Sequence, residues 1–201
     1  RRLFDWLGII NTAKAATSHP KSHHRLYIRR WLIFISNELS GRVDVNIESI
    51  LSLSRTHANI QANSKKRAIE EAAKLIAASM EGLDAEEIYN SLIAREKLGT
   101  TAIGHGIAIP HCRLSSCQEI VGSLISIQDP VDFEAFDDQG VNLMFVMLVP
   151  SEEVEEHLQA LAMLAERFET KSYRDLLSAA ENHQALFERA ILPLTPSTDN
   201  P

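Results

Sequence analysis

The residues most able to do chemistry lie in the stretch GTTAIGHGIAIPHCRL, residues 99–114. Gly99, Gly104 and Gly106 permit positive φ and close backbone approach, so successive amide N–H groups can converge on an anion. Pro110 fixes its own φ and restricts Ile109 to an extended shape, so His111 projects from a stiff backbone. A neutral imidazole, with an ordinary pKa of about 6.5, is a competent nucleophile near neutral pH. A rigid histidine beside a candidate anion nest at Gly104 and Gly106 suits phosphoryl transfer through a phosphohistidine. The same residues fit duller roles. Gly-x-Gly without the full G-x-G-x-x-G pattern is weak evidence, and no Lys-Ser/Thr follows as in a Walker loop. A turn with a structural histidine, or a metal loop using His105, His111 and Cys112, stays open, although neither an H-x-x-x-H nor a C-x-x-C pattern is present and no metal is expected. A serine nucleophile is disfavoured, because no G-x-S-x-G occurs.

Two further residues are placed to complete such a site. Arg95 precedes the glycine-rich stretch by a few residues and could neutralise phosphoryl oxygens. His157 opens a predicted helix after a strand, where its N–H could bond a phosphoryl group or His111, helped by the positive end of the helix. Read alone, Arg95 is equally a solvated helix-end charge and His157 a helix-surface histidine. Spacing along the chain does not bring the three together.

The elements that must position these residues follow from periodicity. Ser64 caps a helix reaching about Met80, with Ile69, Ala72, Ala73, Ile76 and Met80 on one face. Asp84 and Glu87 form a capping-box-like pair for a second helix to about Glu96, with Ile88 and Leu92 inward. The segment VDVNIESIL from Val43 alternates and then turns helical, and residues 99–114 read as a loop. Ile120–Ile127 and Val141–Val149 are short apolar runs bounded by turn residues, as in buried strands. The segment between them reads as a loop with a short edge strand. A longer helix follows Pro150 and Ser151, with Leu158, Leu161, Ala162, Ala165 and Phe168 as its apolar face. Two short helices near 173–180 and 183–191 come next. Helices before and after a few buried strands imply an α/β layered domain with helices on both sheet faces.

The chain has 201 residues, 45% of them apolar and 23% charged, an ordinary globular composition. Charge is uneven: residues 1–42 carry a net +6 and residues 43–201 a net −13. An acidic body is a poor reader of nucleic acid and attracts a basic protein partner instead. Cys112 and Cys117 offer no disulfide framework, which suits a reducing cytoplasm. No apolar run is long enough for a transmembrane segment. Residues 1–42 are expected to be a poorly ordered basic extension or over-read upstream sequence, with Val43 a candidate start, because the first methionine is Met80. Residues 192–201, ending PSTDNP, are expected to be a disordered tail.

The segments SKKRAIEEAAKLIA, AREKLGTTAIGHGIAIPH, LMFVMLVP and HLQALAMLAERF, in this order, resemble the IIA domain of the fructose/mannitol-type phosphotransferase system, most closely its nitrogen-regulatory members. The resemblance covers about residues 43–191 and rests chiefly on GxGIAIPH. It implies a single α/β domain with a small mixed β-sheet sandwiched between helical layers. It also implies that His111 accepts a phosphoryl group from an HPr-like phosphocarrier, usually on Nε2, that His157 supports that group, and that Arg95 is the active-site arginine. No cofactor is implied. The nitrogen-regulatory type implies partner proteins in potassium transport or nitrogen/carbon metabolism that read the phosphorylation state. The alternative is a sugar-specific IIA component passing phosphate to a IIB protein. His105 stands where Asn is common and Cys112 where Gly is common. Cys112 adds bulk beside His111 and a candidate oxidation site.

Overall fold

The computed structural model describes residues 45–152 and 155–194. The expectations for residues 1–42, and for the tail from 195 onward, lie outside the described residues. Among those described, the elements run α1 (Ile47–Ile50), β1 (Leu51–Ile60), α2 (Lys65–Ser79), α3 (Ala85–Glu96), β2 (Ala102–Gly104), β3 (Ile107–Ala108), β4 (His111–Leu114), β5 (Val121–Val131), β6 (Val141–Pro150), α4 (Glu155–Glu169), α5 (Lys171–Ser178) and α6 (His183–Ala190).

The helix starts obey local chemistry. The Ser64 hydroxyl accepts the Arg67 N–H and the Asp84 carboxylate accepts the Glu87 N–H, each satisfying a donor with no intrahelical partner. The Glu87 side chain accepts a hydrogen bond from Ser116 Oγ, which ties α3 to the turn after β4.

The sheet is mixed, with strand order β1-β5-β6-β3-β2 and β4 also on β6. β6 is its spine: β5 pairs antiparallel on one side, β3 and β4 parallel on the other. Its residues alternate between two cores. Met144, Val146 and Leu148 pack in one with Ile69, Ile76, Ile88 and Leu92 of α2 and α3. Leu143, Phe145, Met147 and Val149 pack in the other with Ala160, Leu164, Leu177 and Leu186 of α4, α5 and α6. A strand buried on both faces reads as a continuous apolar run, which is why its position was clear from VNLMFVMLV. The expected α/β domain, a mixed sheet between helical layers, is the observed one.

Three expected elements differ in the structure, and β1 has no counterpart among those expected. Residues 99–114 are not one loop but contain three short strands, because their backbone groups pair with β6 and with each other. The segment after Ile50 forms the ten-residue β1, parallel to β5; its polar composition, LSLSRTHANI, hid a sheet-edge strand. The expected separate edge strand after Ile127 is the far end of β5, which resumes pairing at Val131 with Val141. The buried stripe of α4 is Ala160, Leu164 and Phe168 with Leu161 beside it, so Leu158, Ala162 and Ala165 sit on its flanks. The amphipathic pattern of this alanine-rich helix is broad enough to mis-set its rotation by one position.

Gly122 of β5 lies against the ring of Phe145, which is fully buried. A Cβ there would meet Phe145 Cζ at 2.6 Å and the Ile50 carbonyl oxygen at 3.1 Å. Gly122→Ala is therefore expected to destabilise the domain by about 1–3 kcal/mol through overpacking, read as a lowered urea midpoint with an unchanged m value.

Candidate active site

The site is built on one extended run. Ile107 pairs with Leu143 and Ala108 with Met144, and His111 pairs with Met147 at the same offset. β3 and β4 are thus a single strand broken only at Ile109–Pro110, where proline has no N–H to give the ladder. The Pro110 carbonyl still accepts the Met147 N–H at 2.9 Å, and Ile109 N–H is taken by the Thr101 carbonyl at 3.0 Å. Alternation along this run sends Ala108, Cys112 and Leu114 into the α2/α3 core and Ile107 and Ile109 into the other. His111 therefore rises on the α4 face.

Its ring orientation is set by its own strand. Nδ1 lies 2.8 Å from the Ile109 carbonyl oxygen, a group that can only accept, so Nδ1 carries the proton. Nε2 is left with its lone pair, and Arg95 Nε donates to it at 3.2 Å. Arg95 sits at the last turn of α3 and is held by a second bond from Nη1 to the Gly99 carbonyl, 3.0 Å. The turn carrying Gly99 is itself fixed from inside. The buried Glu96 carboxylate accepts the Thr101 N–H at 3.0 Å and faces Lys65 Nζ at 3.4 Å.

His157 comes from the opposite side. Counting back from Ala160, Leu161 and Leu164, residue 157 continues the inward stripe of α4 by one turn. Its ring meets that of His111 edge-on, centroids 5.4 Å apart and planes at 61°. Its Nε2 is buried and has no hydrogen-bond partner. The expected trio of His111, Arg95 and His157 is thus brought together by a strand, a helix C-terminus and a helix N-terminus.

The turn glycines do not join them. Gly106 precedes Ile107, and five extended residues place it about 16 Å along β6 from His111. Gly104 and Gly106 have φ of +87° and +76° and make the β2–β3 turn. A Cβ on Gly104 would strike the Phe136 ring at 2.7 Å. The intervening His105 N–H is spent on Asp137 Oδ2 at 2.7 Å. These glycines shape the hairpin, and no phosphate nest forms between them and His111. Among the described residues no cluster of histidine, cysteine and carboxylate side chains could hold a metal. Cys112 points away from His111 into the α2/α3 core, where burial pushes its thiol up to about 12, so it neither crowds the site nor supplies a thiolate for oxidation.

Sequence reading missed the Ile109 and Gly99 carbonyls, which orient the ring and the guanidinium, and it missed Arg113. Strand alternation from His111 would have placed Arg113 on the same face, but only once residues 111–114 are read as a strand.

Both imidazoles are neutral at physiological pH. Burial first, and then the Arg95 charge, lower His111 to about 3; burial, then Arg113 and Arg95, lower His157 to about 4. The folded protein therefore binds fewer protons than the unfolded chain between about pH 6.5 and these values. The contribution to stability is full above pH 6.5 and is lost as pH falls through that window. In a ring-proton or ¹⁵N NMR titration neither residue should protonate above pH 5, and His111 should report the Nδ1–H tautomer throughout.

A family model described as "Phosphoenolpyruvate-dependent sugar phosphotransferase system, EIIA 2" matches residues 49–191. The nitrogen regulatory protein of Pseudomonas aeruginosa is 43% identical over 144 residues, spanning 72% of this chain and 94% of that protein. That of Escherichia coli K12 is 34% identical over 145 residues, 72% of this chain and 88% of its own length. The crystal structure of nitrogen regulatory protein IIA-Ntr from Neisseria meningitidis superposes with a TM-score of 0.67 at 39% identity, covering 73% of this chain and 99% of that one. IIA mannitol from Escherichia coli shares the fold, with a TM-score of 0.59 at 20% identity. Strand, helix end and facing histidine thus lie within a matched region that leaves little of its relatives uncovered, and the chain belongs to the EIIA type-2 family of the phosphoenolpyruvate-dependent sugar phosphotransferase system, where it resembles the nitrogen regulatory proteins.

Proposed function

We propose that this chain is a regulatory phosphocarrier that acts in the cytoplasm. It accepts a phosphoryl group from an HPr-like phosphocarrier onto Nε2 of His111, and partner proteins in potassium transport or nitrogen/carbon metabolism respond to its phosphorylation state. The observation that carries this reading is the Nδ1 bond to the Ile109 carbonyl, which leaves one lone pair on a neutral ring with a guanidinium N–H aimed at it.

The chemistry follows from that geometry. Arg95 must first give up Nε2, and its N–H groups then pair with the incoming phosphoryl oxygens. The Nε2 lone pair forms the new N–P bond as the P–N bond to the donor's imidazole breaks, and the donor ring keeps that electron pair. The proton on His111 Nδ1 stays in place, and the positive charge developing on the ring is met by the Ile109 carbonyl dipole. His157 packs its ring against the reacting ring and keeps an unpaired Nε2; in its Nε2–H form it donates to a phosphoryl oxygen. Two groups, Arg95 and His157, thus bracket the transferred group without general-base catalysis, as expected where positioning and charge stabilisation dominate.

Incubation with phosphoenolpyruvate, enzyme I and an HPr-type protein should give acid-labile phosphate on the protein at one equivalent. His111→Ala should abolish it, and label retained in that variant would overturn the assignment. His157→Ala and Arg95→Ala should still accept phosphate but exchange it roughly 100-fold more slowly, the scale of losing one preorganised donor. The sugar-specific reading predicts fast discharge to a fructose- or mannitol-type IIB protein, and the regulatory reading predicts a long-lived phosphoprotein in that chase.

A further inference from the structure

The geometry points to Arg113 as a second phosphate-binding cation of the site, one that binds the phosphoryl group only once it is on His111. This rests on the phosphocarrier reading. Arg113 is two residues beyond His111 on β4, in a continuous ladder of His111 with Met147 and Arg113 with Val149. Residues two apart on a strand share a face and stand about 6–7 Å apart, within the span of an arginine side chain. The neighbours Cys112 and Leu114 are buried in the core on the other face, which locks that alternation. Arg113 itself is exposed. Among the described residues no hydrogen bond or ion pair to its guanidinium is formed, unlike Arg95, which is spent on His111 Nε2 and Gly99. It lies close enough to His157 to depress the basicity of that ring, whereas the arginine charge that acts on His111 is that of Arg95, so Arg113 stands on the His157 side of the pair.

An unpaired arginine on the exposed side of a neutral histidine pair has no anion to bind before transfer. Transfer delivers a group of roughly −1.5 to −2 charges to Nε2. Arg95 approaches that group from the end of α3, and Arg113 approaches from β4, on the α4 side. With both arginines engaged, the three oxygens of the phosphohistidine find donors from two guanidinium groups and one imidazole. The donor's P–N bond breaks and the Nε2–P bond forms as described above, and Arg113 takes no proton in either direction. Its role is charge stabilisation of the phosphorylated state.

The test compares wild type, Arg113→Ala, Arg113→Lys and Arg113→Glu in the full chain, with His111→Ala as the unlabelled control. Each is phosphorylated with phosphoenolpyruvate, enzyme I and HPr-type protein. Arg113→Ala should shift the phosphotransfer equilibrium with the donor roughly tenfold toward the donor, the worth of one charged hydrogen bond. Arg113→Glu should shift it further, and Arg113→Lys should recover most of the loss. In ³¹P NMR the second ionisation of the phosphohistidine should move to higher pH in Arg113→Ala, a change that a purely structural role of the side chain would not produce. A labelled wild type with Ala, Lys and Glu variants equal to it in equilibrium and in ³¹P titration overturns the role of Arg113 alone. A wild type that takes no label at all overturns the phosphocarrier reading.

Discussion

One register holds the site together. Ile107 through Leu114 lie along β6 at a constant offset, and every site group on this strand takes its direction from that pairing. Pro110 removes one ladder donor without shifting the register. Because the Ile109 N–H and the Pro110 carbonyl find partners in Thr101 and Met147, the Ile109 carbonyl is available to the His111 ring. A slip of one residue would turn His111 into the α2/α3 core and bring Cys112 to the surface. The tautomer, the direction of the free lone pair and the contact with His157 all depend on the pairing with β6.

Around that strand the electrostatics are arranged to keep two imidazoles neutral beside an arginine. Burial is the larger cause at both rings, and nearby positive charge adds to it. Such an arrangement is unfavourable for a proton and favourable for a phosphoryl group, since the same positive potential that repels H⁺ attracts an anion. The acidic body of the protein does not oppose this. The Glu96 carboxylate is buried, with one oxygen accepting the Thr101 N–H and the other held only by the ion pair with Lys65. Charge at the site is therefore local to the rim of His111 rather than set by the net charge.

Elements with local signals stood out in the sequence, and elements defined by distant pairing did not. The caps at Ser64 and Asp84 and the apolar runs at 120–127 and 141–149 were legible because their signals are local: a capping oxygen three residues from its donor, or a run of apolar residues buried on both faces. β1 was not legible, because an edge strand need not be apolar and its pairing partner lies about seventy residues away. The three strands around His111 were hidden by glycine and proline, which signal turns whether or not the chain between them pairs with a sheet. That error also produced the supposed phosphate nest. Three glycines close in sequence to a histidine suggest proximity, but an extended backbone carries Gly104 and Gly106 away from it.

By itself the sequence determined the chemistry on offer: a stiffened histidine at 111, an arginine at 95, a histidine at 157, and an acidic body without metal-ligand spacing. It also determined where α2 and α3 start, since capping by Ser64 and Asp84 depends on residues within one turn. Only the tertiary structure decided which nitrogen of His111 is free, that Arg95 guards it, that the His157 ring packs against it while its own Nε2 stays unpaired, and that Arg113 shares its face. Those facts depend on register across strands and on the rotation of α4. Both are set by long-range packing between two hydrophobic cores, and no local pattern encodes them.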